Sequence, residues 1–315
     1  MKKYPVFRAI LLSSIGSGLF IFLGTILNTN GFGNYGAATF ITAPIMAGIL
    51  SALILNYRRT FSFKNTYLAG LATVGLCYAL LLLLAFEGLI CLLMASPLAL
   101  LAQWLGTFTT YTIIKRIRKP GLYSLALILV LPIHSVLEPY STGDADLLQT
   151  QTEGIIKAPV EDVWAQLMAV NQFAPPASAL MRAGISYPKR IHWIQDDGRD
   201  STYIQCEYSN GTALLEVDSL IAGHVLQFSL EETPATMKEM SFYDEVHAPH
   251  LHGNFKLVYG KVALTSLPEG HTLVTTTSAY THKIKPALYW KLWSDFAFDQ
   301  VHQIVIKHLK NQTEQ

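Results

Sequence analysis

Apolar residues follow two rhythms along this chain of 315 residues. Up to about residue 140 they run in long, nearly unbroken blocks, and beyond it they alternate with polar residues in short segments. A helix needs about 20 apolar residues to cross the hydrocarbon core of a bilayer. FRAILLSSIGSGLFIFLGTIL (7–27) and GAATFITAPIMAGILSALIL (36–55) meet that length. Residues 67–114 are apolar over more than twice that length, interrupted by Glu87 and Gly88. A turn there gives spans near 67–86 and 89–111, and GLYSLALILVLPIHSVLEP (121–139) supplies another. The pattern predicts an α-helical transmembrane bundle of about five spans over residues 1–139.

The rhythm changes after a polar stretch at 140–148. TEGIIKA reads as a strand, and APVEDVWAQLMAV as a helix with Pro159 at its start and Glu161 and Asp162 in its first turn, where both are favourable. FAPPASALMRAG reads as a second short helix. Six alternating segments come next: RIHWIQ, STYIQCEY, TALLEVDSL, HVLQFSLEE, NFKLVYGKVALTSL and HTLVTTTSAYTH. Turn-formers such as Asn210-Gly211 and Glu269-Gly270 separate them, as in an antiparallel meander. A long helix from about Pro286 to Lys310 closes the chain, with Tyr289, Trp293, Phe296, Ala297, Val301, Ile304 and Val305 at steps of three and four. Residues 149–315 are thus predicted to form an α+β domain in which an antiparallel sheet wraps a long C-terminal helix.

Charge sharpens the division. Residues 1–140 hold ten Lys or Arg and two acids, Glu87 and Glu138, whereas residues 141–315 hold thirteen Lys or Arg and twenty acids. The basic residues fall before the first span, between the second and third, and between the fourth and fifth. Alternate basic loops put the N-terminus in the cytoplasm and the second domain on the far, extracytoplasmic side of a bacterial inner membrane, the periplasm if the source is Gram-negative; if 67–114 is one span plus a re-entrant piece, that domain is cytoplasmic. The first apolar run is too long for a cleaved signal peptide and lacks a small-residue cleavage site. Since topology alone accounts for the basic clusters, they point to no nucleic-acid partner. Cys77, Cys91 and Cys206 have no metal or disulfide spacing.

The order strand, two short helices, six strands and a long helix is that of the helix-grip fold. GIIKAPVEDVWAQL (154–167) resembles the opening of SRPBCC domains, the START-like and polyketide cyclase-like superfamily. The resemblance continues in AGISYP (183–188), QCEYSNG (205–211), PHLHGNF (249–255) and YWKLWSDFAFDQVHQIVIKHLK (289–310). Together with EGLICLLMASP (87–97), the chain resembles bacterial proteins that fuse a multi-span segment to such a domain. An Arg that related sequences carry two residues before the equivalent of Cys206 is Ile204 here, so no anion-binding role transfers. The resemblance implies a largely apolar cavity between sheet and terminal helix. Its candidate ligand-binding residues are Tyr289, Trp290, Trp293, Phe296, Cys206 and Tyr280.

Several groups are candidates for chemistry. The loop SFYDEVHAPHLHG (241–253) holds His247, His250 and His252 behind Asp244 and Glu245. The three histidines form a weak candidate metal site, without the i, i+4 helical spacing of established zinc motifs. His302, with Asp295 and Asp299 on the same helix, is a candidate acid–base group, as are His250, His252 and Glu245. Glu87, His134 and Glu138 form a candidate polar cluster at the ends of spans. No dinucleotide or phosphate-loop motif is present, and no cofactor is expected.

Three functions fit these features. The first is a membrane-anchored domain that binds or carries a membrane lipid or other apolar small molecule. The second is a cyclase-, dehydratase- or hydrolase-type enzyme on an apolar substrate. The third is an interaction module, with a membrane-protein partner or a second copy of the chain.

Overall fold

The computed structural model describes residues 4–31, 35–116, 129–141, 146–169, 171–196, 201–230, 236–243, 246 and 255–314. It divides into two compact units. The first comprises Met1–Gly143, Glu239–Pro249 and Ile284–Pro286, and the second Asp144–Lys238, His250–Lys283 and Ala287–Gln315.

The first unit is helical: α1 (Tyr4–Ile26), α2 (Ala43–Asn56), α3 (Phe63–Leu83), α4 (Leu89–Arg116) and α5 (Val130–Ser141). Along α1 most exposed positions are apolar and several buried ones are small and polar. On α1, Leu11, Leu12, Leu19 and Leu23 are exposed while Ser13, Ser14 and Ser17 are buried. That inversion suits a hydrocarbon solvent, in which small and weakly polar residues let helices approach and bond. Ser17 Oγ and Thr73 Oγ1 lie 2.9 Å apart across α1 and α3, and Ser14 Oγ donates to the Ala69 carbonyl at 3.0 Å. Between α2 and α4 the backbones themselves touch. A Cβ on Gly48 would strike the Gln103 carbonyl, and one on Gly106 the Ile45 carbonyl.

Four helical stretches are long and apolar enough to cross a membrane, Val6–Thr29, Ala38–Asn56, Phe63–Leu83 and Leu89–Arg116, which fits an integral membrane protein. The count is four among the described residues, not the five expected. Of the fifth predicted span, residues 121–128 lie outside the described residues. The remainder falls in α5, whose 12 residues make about 18 Å of helix, short of a bilayer core of about 30 Å.

The second unit is a seven-stranded antiparallel sheet: β1 (Leu148–Ile156), β2 (Pro188–Asp196), β3 (Ser201–Tyr208), β4 (Gly211–Ile221), β5 (Val225–Leu230), β6 (Phe255–Leu267) and β7 (His271–His282), in the order β1-β7-β6-β5-β4-β3-β2. Two short helices, α6 (Val160–Leu167) and α7 (Ala179–Ala183), separate β1 from β2. The register breaks between Val217 and Ser219 in β4 and between Leu257 and Tyr259 in β6. Such irregularities bend a strand and tighten its twist. The sheet wraps the 27-residue α8 (Ala287–Thr313), which packs on β1, β7 and α6. This is the helix-grip fold, as the element order predicted.

Candidate functional site

The stripe of α8 that meets the sheet differs from the one its hydropathy suggests. Phe298, His302, Val305, Ile306 and Leu309 pack into the core of the second unit. Tyr289, Trp293 and Phe296 are half-buried, and Trp290 is buried. The observed stripe holds His302, already singled out as an acid–base candidate, and Asp295, which the hydropathy pattern leaves on another face.

Those two polar residues anchor the helix to the sheet. His302 is buried, with Nδ1 2.9 Å from Thr152 Oγ1 and Nε2 2.9 Å from Ser278 Oγ. Thr152 gives its proton to Asp299 Oδ1 at 2.9 Å, so His302 Nδ1 donates to Thr152 and Nε2 accepts from Ser278. Burial pushes the His302 pKa down to about 4, against the opposing pull of Asp299. The imidazole is therefore neutral across the physiological range. Two turns earlier, Asp295 accepts from Tyr280 Oη at 2.9 Å and from Thr150, and pairs with Lys291. Burial opposes ionisation of Asp295, but these donors together hold its carboxyl below the usual range. Tyr280 is fully buried, stacked near Phe255 and Phe298, and its phenol is pushed up by burial and by Asp295.

The far half of the sheet has a different lining. Trp193, Tyr208, Val217 and Phe228, on β2 to β5, face the core yet remain partly exposed. Trp193 Nε1 is buried and has no hydrogen-bond partner among the described residues. An indole N–H that faces inward without an acceptor is a vacant donor. Cys206 lies deeper, buried on β3, and burial raises its thiol to about 12. It stays protonated, a poor nucleophile.

Of the polar residues expected in the first unit, the structure brings Glu138 and Glu87 to one end. Glu138 accepts from the backbone N–H groups of Ala37 and Ala38. Tyr35, two residues before Ala37, donates to Glu87 Oε1 at 2.9 Å. His134 lies a turn away from Glu138, with Nδ1 2.7 Å from Thr42 Oγ1. No motif or spacing points to Glu239, which belongs to this same unit. Its Oε2 accepts from Ile90 N at 3.1 Å and its Oε1 from Cys91 N at 3.2 Å, so it caps α4. A Cβ at Gly88 would collide with that carboxylate. Burial lifts Glu87 to about 8 against the hydrogen bond from Tyr35, with a smaller push from the charge of Glu239; burial raises Glu239 too.

His247, His250, His252, Asp244 and Glu245 lie outside the described residues. Among the described residues, no group of three or more His, Cys, Asp or Glu is placed to hold a metal ion.

No protein-family profile matches the chain, and no curated protein matches it. Among solved structures, it is similar to the Zhui aromatase/cyclase from Streptomyces sp. R1128, with 11% identity over 54% of this chain and 94% of that one and a TM-score of 0.36. It is similar to a START superfamily protein from Mycobacterium smegmatis, with 12% identity over 53% and 97% and a TM-score of 0.32. It is also similar to truncated norcoclaurine synthase from Thalictrum flavum, with 10% identity over 53% and 96% and a TM-score of 0.30. At that distance the likeness carries neither an activity nor a ligand to this chain.

Proposed function

We propose that the second unit binds an apolar or amphipathic small molecule, such as a membrane lipid, inside its grip, and that the first unit keeps it at a bacterial inner membrane. One observation carries the reading: the inner face of β2 to β5 presents large, partly exposed apolar side chains together with the vacant donor of Trp193. Mostly apolar walls with a few placed polar groups are what such ligands select. The titratable groups favour binding over proton transfer. His302 is neutral with both nitrogens engaged, Tyr280 is pushed up and kept neutral, and Asp295 is held down and kept ionised.

Native mass spectrometry of the full chain, purified from membranes in mild detergent, tests this. A co-purifying apolar molecule is expected. Trp193→Phe removes the donor and should lower its retention roughly five- to tenfold, the worth of one hydrogen bond. Val217→Trp should abolish retention by filling the space. A ligand that survives Val217→Trp, or a chain that repeatedly comes through empty, would sink the proposal.

A further inference from the structure

We propose that the groove between the start of α3 and the end of α4 holds one anionic phospholipid. It is a cavity of about 410 Å³ lined by Phe63, Phe108, Tyr111, Thr112, Lys115 and Arg116. On α4, Phe108, Tyr111, Thr112 and Lys115 share one helical face at steps of three and four. Phe63 closes the groove from α3, its ring 5.3 Å from Tyr111 and 6.2 Å, edge-on, from Phe108. Walls of three rings with two cations at one end suit a molecule that is half apolar and half anionic. A free phosphate would satisfy the cations and leave the rings without a partner.

The charge balance selects the sign. Residues 1–116 contain one acid, Glu87, and it lies at the other end of the unit, beside Tyr35. No carboxylate of α1 to α4 therefore competes for Lys115 and Arg116. Lys115 Nζ sits 5.0 Å from the centre of the Tyr111 ring, a contact that leaves its N–H groups free to donate. Thr112 gives its proton to the Phe108 carbonyl at 2.8 Å, so among the described lining residues the donors available to an anion are the two cations and the Tyr111 hydroxyl. The same face of α4 continues through Trp104, which stacks on Phe108 at 5.3 Å, to the exposed Leu101. From Lys115 to Leu101 is about 21 Å along the helix, room for an acyl chain beneath its headgroup. This site is separate from the grip, and its failure would leave the reading of the second unit untouched.

Basic residues at this end also set orientation and complement the α4 dipole, and neither role needs a groove. The test separates these. The full chain is placed in nanodiscs of phosphatidylcholine doped with phosphatidylglycerol, and bound lipid is counted by native mass spectrometry after release. One phosphatidylglycerol is expected to be retained in preference to phosphatidylcholine. Lys115→Ala with Arg116→Ala should lower that retention roughly tenfold. Lys64→Ala, an exposed cation at the start of α3 outside the groove lining, should change it less than twofold. Equal retention of the two lipids, or an equal loss from Lys64→Ala, would overturn the site. So would full displacement of the lipid by millimolar inorganic phosphate, which would make it a phosphate site. Melting of the double variant beside the parent chain in the same nanodiscs checks that it is folded.

Discussion

At the scale of single residues, the side chains that fix the grip are polar ones that a hydropathy reading leaves off the apolar stripe. Asp295 and His302 lie on the inner stripe of α8, and a search for apolar positions at helical spacing skips both. Their partners Thr150, Thr152 and Ser278 sit on strands whose alternation was legible, but which of their faces meets a histidine depends on sheet order. The burial of His302 has a measurable consequence. Its pKa is about 4 when folded and near 6.5 when unfolded. Between those values the unfolded chain binds more protons, so the contribution to stability is complete above about pH 6.5 and is lost as pH falls toward 4. The loss is at most about 3 kcal/mol. Hydrogen exchange of β1 and α8 amides in the full chain, tracked from pH 7 to pH 4, should show this acid limb. His302→Gln, which keeps a donor and an acceptor but cannot ionise, should flatten it. An unchanged slope in the variant would show that other groups set the acid response.

At the scale of elements, six of the seven strands correspond to the six alternating segments, β1 overlaps TEGIIKA but begins earlier, at Leu148, and the terminal helix corresponds to its periodic stretch. The first-unit helices were legible as apolar blocks because lipid selects for length and greasiness. Their terminations were not legible in the same way. Helix α4 opens after Glu87 and Gly88 with no capping residue in the adjacent sequence, and its cap is Glu239, 148 positions beyond Cys91. No local rule reaches that far. The orphan N–H groups of a first helical turn need an acceptor, and a carboxylate there also meets the positive end of the dipole. Glu239→Ala should therefore cost about 1 kcal/mol and speed hydrogen exchange at Ile90 and Cys91. Gly88→Ala should act on the same amides, because its Cβ displaces the carboxylate rather than removing it. If neither substitution alters exchange at the start of α4, Glu239 is not what caps it.

At the scale of the whole chain, the remaining question is the side of the membrane on which residues 144–315 stand. Counting helices does not decide it, since the described residues hold four full-length helices and a shorter α5. The contacts inside the first unit are more informative. Phe63 meets Tyr111 at one end, close in sequence to Arg58, Arg59, Lys64, Lys115 and Arg116. Tyr35 meets Glu87 at the other end, and Glu138 of α5 bonds the backbone at Ala37 and Ala38 there. The chain thus leaves α4 at the basic end and reaches the acidic end by Glu138. We propose that the basic end faces the cytoplasm, as the rule for short loops expects. On that proposal the second unit is extracytoplasmic. Gln312→Cys, at an exposed position on the last turns of α8, should react with a membrane-impermeant maleimide in intact spheroplasts. Lys64→Cys should react only once the membrane is opened. The three native thiols are buried and give a low background. Labelling of Lys64→Cys and protection of Gln312→Cys would reverse the orientation. The grip would then take its ligand from the cytoplasmic leaflet, while the basic groove of α3 and α4 would face outward.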